Sequence, residues 1–278
     1  MCTILLAFRC HPEVDLLVAA NRDEFYARPS APPGVLRRAP TVLGGRDLQA
    51  GGTWLGLNEH GLVVGLTNLR SRRSQARSRG QLVLDALAQP SLDAIEALAR
   101  NAAASGEYRP GNLLFGNVDE LRVAELRDPE ELRPGSPSHL RIRQLAPGSH
   151  VVPSGGDVDD VRLFKVQRGL EALAELGQPA LPSLPERLRS VLAAHERPPL
   201  DAPPTPDADA HPLGPELESA IQARCVHTPN YGTRSSTLLL LGPDLCQYHH
   251  CDAAPCVRAY RLLVTARSAA ELAHCESA

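Results

Sequence analysis

Apolar positions fall first into two short runs, residues 2–8 and 15–20, separated by the polar stretch RCHPEV. This reads as two buried strands joined by a turn at Pro12. In TWLGLNEHGLVVGLTN, residues 54–57 and 62–67 flank turn residues 58–61, which is a hairpin pattern. The period then changes. Residues 80–89 are helical until Pro90 stops them, and Ser91 caps a second helix whose Leu92, Ile95, Leu98, Ala99 and Ala102 share one face. Strand-like runs return at 112–118, 121–126 and 148–152. Leu163, Val166, Leu170, Leu173 and Ala174 mark a longer helix, and Leu184, Leu188, Val191 and Leu192 a shorter one. Strands resume at 223–228, 235–241 and 244–250, with a last apolar run at 260–264.

Strands, then helices, then strands again is the order expected of packed sheets with helices grouped outside them, and it excludes a regular βαβ alternation. A chain of 278 residues fits one domain over 1–278. The segment ERPPLDAPPTPDADAHPLGP, residues 196–215, has too few large apolar groups to offset the entropy of ordering and is expected to be a mobile loop.

The formal net charge of −3 excludes a generally basic, nucleic-acid-binding surface. Positive charge is carried almost entirely by arginine, with Lys165 the only lysine, so single arginines carry less information than usual. No apolar run reaches the roughly 18–20 residues of a membrane span. The start lacks the basic region of a secretory signal, so a cytoplasmic protein with reduced thiols is expected. GxGxxG, HExxH, GxSxG and CxxCH motifs are absent, and no cofactor is expected.

Chemistry enters at the first residues, MCTILLAF. If Met1 is removed, Cys2 carries a thiol and a free α-amine on one residue, so the amine can serve as base for its own side chain. The other reading is a small apolar residue at the start of a buried strand. The second strand leads into Asn21, Arg22, Asp23 and Glu24, which pairing with the first strand would bring near the chain start; a solvated turn is the competing reading. Cys246, His249, His250, Cys251 and Cys256 lack CxxC spacing, and alternation along a strand would point them to opposite faces, so no metal site is expected there.

The run Cys2-Thr3, then AANRDEFYARP, GGTWLGLNEHGLVVGLTN, ARSRGQLV and NYGTRSST, resemble in order the motifs of the NRDE family, also called the transport and Golgi organisation protein 2 family. The resemblance implies an α+β fold, a four-layer αββα sandwich of the N-terminal nucleophile hydrolase type with Cys at the mature N-terminus. A more distant resemblance to bile-salt hydrolases and penicillin V acylases implies roles. Cys2 would be the nucleophile, Asp23 would hold its amine, Asn68 would donate to the oxyanion, and Arg22 and Arg234 would lower the thiol pKa. Asn21, Arg77, Arg79 and Ser154 would contact substrate. This chain departs from the acylases in having Ala20 where they have arginine and Ser154 where they have asparagine; a hydroxyl donates over a shorter reach.

Two functions are therefore expected from the resemblance. One is hydrolysis of a linear amide or related acyl compound through a Cys2 thioester. The other is non-catalytic binding or trafficking of haem or acyl-coenzyme A on the same fold, with the run LRSRRSQARSRG as either a solvated loop or an anion clamp.

Overall fold

A computed structural model of the chain describes residues 2–69, 71, 76–128, 139–202 and 214–274. Among these residues the strands form two antiparallel sheets. The first holds β1 (Cys2–Phe8), β2 (Leu16–Phe25), β10 (Gly148–Val152), β11 (Tyr231–Gly242), β12 (Leu245–Cys251) and β13 (Arg261–Ala266), in the order β10-β1-β2-β11-β12-β13. The second runs β3 (Ser30–Arg38), β4 (Thr41–Asp47), β5 (Leu55–Asn58), β6 (Val63–Asn68), β7 (Gly111–Gly116), β8 (Leu121–Leu126) and β9 (Leu140–Gln144), in sequence order.

Alternation along the strands builds three apolar layers. Ile4, Leu6, Val18, Ala20 and Leu239 point between the sheets and meet Leu55, Leu57, Val63 and Leu114 of the other sheet. Their neighbours Leu5, Leu17, Ala19, Leu238 and Leu240 point outward and bury Val166, Leu173, Leu188 and Leu192 of α3 (Phe164–Leu176) and α4 (Leu184–Leu192). On the far side Val64, Leu66, Leu113 and Phe115 cover α1 (Arg79–Leu87) and α2 (Leu92–Ser105) through Leu82, Val83, Ile95 and Ala99. The result is the αββα sandwich expected. No helix among the described residues is long and apolar enough to cross a membrane.

Three strands were not legible in the hydrophobic pattern. β3 and β9 are the two edges of their sheet; β3 carries Pro32 and Pro33, lies mostly half-exposed, and pairs with β4 through two register shifts. β4, TVLGGRD, is interrupted by Gly44 and Gly45, and a Cβ on Gly45 would come within 2.3 Å of the Trp54 ring. The expected strand at 223–228 does not form: α5 (Pro215–Ala220) is followed by turns, with Gln222 N donating to Ser219 O and Cys225 N to Ala194 O. Of the expected Pro-rich loop, 203–213 lie outside the described residues, and Pro215 already opens α5. Arg70, Arg72 and Arg73 of the basic run also lie outside them.

Candidate functional site

β2 does not end at the apolar run. It continues through the polar cluster to Phe25, paired with β1 so that Cys2 lies opposite Arg22 and Thr3 opposite Asn21. The solvated-turn reading is thereby corrected: the ladder to β1 and β11 on either side buries Asn21, Arg22 and Asp23. Even-numbered residues of β1 and β2 point between the sheets, so Cys2 and Arg22 share that face while Asn21 and Asp23 share the other.

Beyond the last apolar layer the two sheets open into a cavity of about 340 Å³. Its wall includes Cys2, Arg22, Asp23 and Trp54, with Leu66 and Asn68 from β6 and Ser78, Arg79 and Gly80 from the start of α1. The loop after β10 joins the sheets at this point. Ser154 N donates to Cys2 O at 3.1 Å, and Gly155 N donates to Asn68 O at 3.1 Å, tying the end of β6 to the first residue of β1. Asn112 Nδ2 holds the loop from below, donating to Pro153 O at 3.1 Å and Gly156 O at 2.8 Å. Asn68 itself lines the cavity.

The Cys2 backbone is clamped by one hydroxyl. Ser154 Oγ accepts from Cys2 N at 2.6 Å and donates to Cys2 O at 2.7 Å. Burial pushes the Cys2 thiol above its ordinary value; the positive chain terminus and Arg22 oppose this, while Asp23 adds to it. Asp23, also buried, is pushed up to about 6 by desolvation, against the lowering effect of the chain terminus, a hydrogen bond from Thr233 Oγ1 at 2.6 Å and the charge of Lys165.

Arginine dominates the wall. Arg22 stacks over the Trp54 ring with its Cζ 4.4 Å from the centroid and lies 4.0 Å from Asp47 Oδ2; its buried Nη1 has no hydrogen-bond partner among the described residues. Asp47 is held more firmly by Arg28 at 2.7 Å, and although burial raises its pKa, Arg28 and the N–H groups of Ala50 and Gln49 bring it below the usual value. Arg79 Nη1 donates to Leu69 O and Pro110 O, and burial beside Arg109 lowers its pKa to about 10. Arg77, half-exposed, is shared between Glu107 and Asp85. The first turn of α1 is pressed to the wall because Gly52 lies against it: a Cβ there would meet Gly80 C at 2.2 Å, and Thr53 N donates to Gly80 O.

Of the residues singled out in the sequence, Cys2, Arg22, Asp23, Asn68, Arg77 and Arg79 therefore meet at one cavity. Three do not contact it as expected. Asn21 faces the helix layer, where Nδ2 donates to Leu192 O and Arg224 O, a structural position dictated by strand alternation. Arg234 sits at the register shift of β11 between Thr233 and Ser235 and donates to Tyr26 O, so it does not reach the thiol. Ser154 holds the Cys2 backbone instead of lining the wall. The sequence reading missed Trp54, Arg28, Asp47, Arg109 and Lys165. Lys165 carried one usable signal, as the sole lysine of the chain, and it is almost fully buried with Nζ donating to Ile221 O.

The model of the family described as Transport and Golgi organisation 2 matches residues 1–248. The chain belongs to the Transport and Golgi organisation 2 family. Two homologues of the protein that names the family align with it over most of their length: the Bos taurus protein is 30% identical over 261 residues, covering 88% of this chain and 90% of its own, and the Homo sapiens protein 31% identical over 263 residues, with the same coverage. Among solved structures, the C2A mutant of a conjugated bile acid hydrolase from Clostridium perfringens superimposes with a TM-score of 0.51 at 11% identity, covering 95% of this chain and 97% of its own. At that identity the likeness shows the fold alone. This Transport and Golgi organisation 2 family member thus has the N-terminal nucleophile hydrolase fold.

Proposed function

We propose that this protein is a cysteine N-terminal nucleophile hydrolase that cleaves a linear amide or related acyl compound. The observation that carries the reading is the setting of Cys2: it lines the cavity while its own nitrogen lies 2.6 Å from Ser154 Oγ. Loss of Met1 turns that nitrogen into an α-amine already held in place. The amine takes the thiol proton, Sγ attacks the substrate carbonyl, and the proton passes to the leaving amine as the C–N bond breaks, leaving an acyl thioester. Water then hydrolyses the thioester to the acid and restores the thiol. Asn68 donates to the oxyanion, Asp23 stabilises the ammonium that forms, and Arg22 favours the thiolate.

A panel of linear amides and thioesters assayed with the processed parent and with Cys2→Ala tests this. Turnover that vanishes in Cys2→Ala while the circular dichroism spectrum is retained supports the reading; equal turnover by both defeats it.

The arginines of the wall favour a second reading, a carrier for an anionic ligand such as acyl-coenzyme A or haem. Under it, Cys2→Ala binds as well as the parent, binding weakens as salt rises because part of the guanidinium surface is exposed, and no member of the panel is turned over.

A further inference from the structure

Away from the cavity, four side chains from three segments far apart in the sequence converge. His195 follows α4, Cys225 and His227 lie in the turns before β11, and Cys256 lies in the connection between β12 and β13. Their ligand atoms all lie within 4.8 Å of one another. Cys225 Sγ is 3.6 Å from His227 Nε2 and 3.6 Å from Cys256 Sγ, and His227 Nε2 is 3.2 Å from Cys256 Sγ.

These are three of the six edges that a coordination tetrahedron of the four would have. Zinc bonds of about 2.3 Å to sulfur and about 2.0–2.1 Å to nitrogen, set at tetrahedral angles, separate two sulfurs by about 3.8 Å and a sulfur from a nitrogen by about 3.5 Å. His195 supplies the fourth candidate ligand. Its Nδ1 lies 3.1 Å from Cys225 O, so an Nδ1–H donates there and leaves the Nε2 lone pair free, the outer-sphere hydrogen bond that fixes the tautomer of a ligating histidine. His195, Cys225 and His227 border an open cavity, which gives a cation a path in; Cys225 supplies its buried floor, and Cys256 is exposed.

We propose that His195, Cys225, His227 and Cys256 form a structural zinc site. Two thiolates and two neutral imidazoles complete the four-coordinate sphere and leave no open position for catalysis, so the ion's role is to tie together three segments distant in the chain. The segment carrying Cys225 and His227 also braces the back of the β2 cluster. Arg224 O accepts from Asn21 Nδ2, and Thr233 Oγ1 accepts from Val226 N while donating to Asp23 Oδ1. Zinc therefore stiffens the support of Asp23 without touching the cavity, and the site stands whether or not the protein is a hydrolase.

The full-length protein, purified in reductant, stripped with a chelator and reloaded with zinc(II) or cobalt(II), provides the test. The parent is expected to retain one ion per chain, to show tetrahedral cobalt bands with a thiolate charge-transfer band, and to unfold at higher urea with zinc than without. Cys256→Ser and His195→Ala alter exposed residues and leave the core intact; each is expected to weaken zinc binding about a hundredfold or more and to abolish the zinc-dependent stabilisation. Metal lost on desalting, an equal ion content in the Cys256→Ser/His195→Ala double variant, or octahedral cobalt without a charge-transfer band would overturn the proposal. A Cys225–Cys256 disulfide that persists in the presence of zinc would overturn it too, in favour of a redox pair.

Discussion

Thr233→Val isolates how the fold keeps a carboxylate buried behind Cys2. Thr233 Oγ1 donates to Asp23 Oδ1 at 2.6 Å and accepts from Val226 N at 2.9 Å, and all of this is buried. Valine keeps the shape and removes both bonds. The folded Asp23 value of about 6 lies above the ordinary 3.8, so the fold favours the protonated form. This group's contribution to stability is fully present below about pH 4 and is lost as pH rises through about 6, a loss of about 3 kcal/mol at 1.36 kcal/mol per unit. Without the hydroxyl the carboxylate loses a charge-assisted bond worth about 1.5–3 kcal/mol, its pKa moves further up, and the loss extends to higher pH. The orphaned Val226 N–H costs about another 1–2 kcal/mol at every pH. Urea denaturation should therefore find Thr233→Val destabilised by about 3–4 kcal/mol at pH 8 but by only about 1–2 kcal/mol at pH 5, where Asp23 is mostly protonated in parent and variant alike. An equal penalty at both pH values would show that Thr233 does not act through the Asp23 charge, and a penalty under about 1 kcal/mol at pH 8 would refute the hydrogen-bond assignment itself.

Other perturbations separate structure from chemistry. Asn21→Ala strips the partners from Leu192 O and Arg224 O, partly offset because Asn21 Oδ1 has no partner among the described residues, and should cost about 2–3 kcal/mol in urea denaturation. A loss under about 0.5 kcal/mol would contradict its structural role. Asn68→Ala should lower kcat on a working amide about 100-fold or more while leaving the unfolding midpoint within about 0.5 kcal/mol of the parent; an unchanged kcat would remove Asn68 from the oxyanion site. Gly52→Ala drives a methyl into the Gly80 backbone and should destabilise by about 1–3 kcal/mol, measured by thermal unfolding, and a neutral result would mean that α1 is not pinned at its first turn.

How much could be read in advance depended on whether a residue's neighbours were local. Strands such as Cys2–Phe8 and Leu121–Leu126, and the helix capped by Ser91, carry their own period and boundary signals. The edge strand with Pro32 and Pro33 does not, because its stability comes from pairing with β4 and not from an apolar face of its own. The same division holds at the site. Cys2, Asp23 and Asn68 were legible because their motifs sit at strand ends that the fold brings together. Arg22 was legible as a charge, but its stacking on Trp54 depends on the second sheet crossing above it. Asn21 and Arg234 lie away from the cavity for a related reason: strand parity and a β11 register shift decide which face a side chain takes, and neither was visible before β2 was known to run on to Phe25. The convergence of His195, Cys225, His227 and Cys256 was invisible for the strongest reason, since the three segments that carry them meet only through tertiary packing.

The central claim is that Cys2 acts as the first residue of the mature chain. Intact-mass spectrometry of the purified protein, before and after exposure to a thiol-reactive acyl probe and in parallel with Cys2→Ala, tests it most directly. The parent mass should lack Met1 and rapidly gain one acyl group that Cys2→Ala does not show. Full labelling of Cys2 with Met1 still attached would contradict the amine-as-base mechanism, and a processed chain whose Cys2 stays unlabelled while other thiols react would contradict the nucleophile.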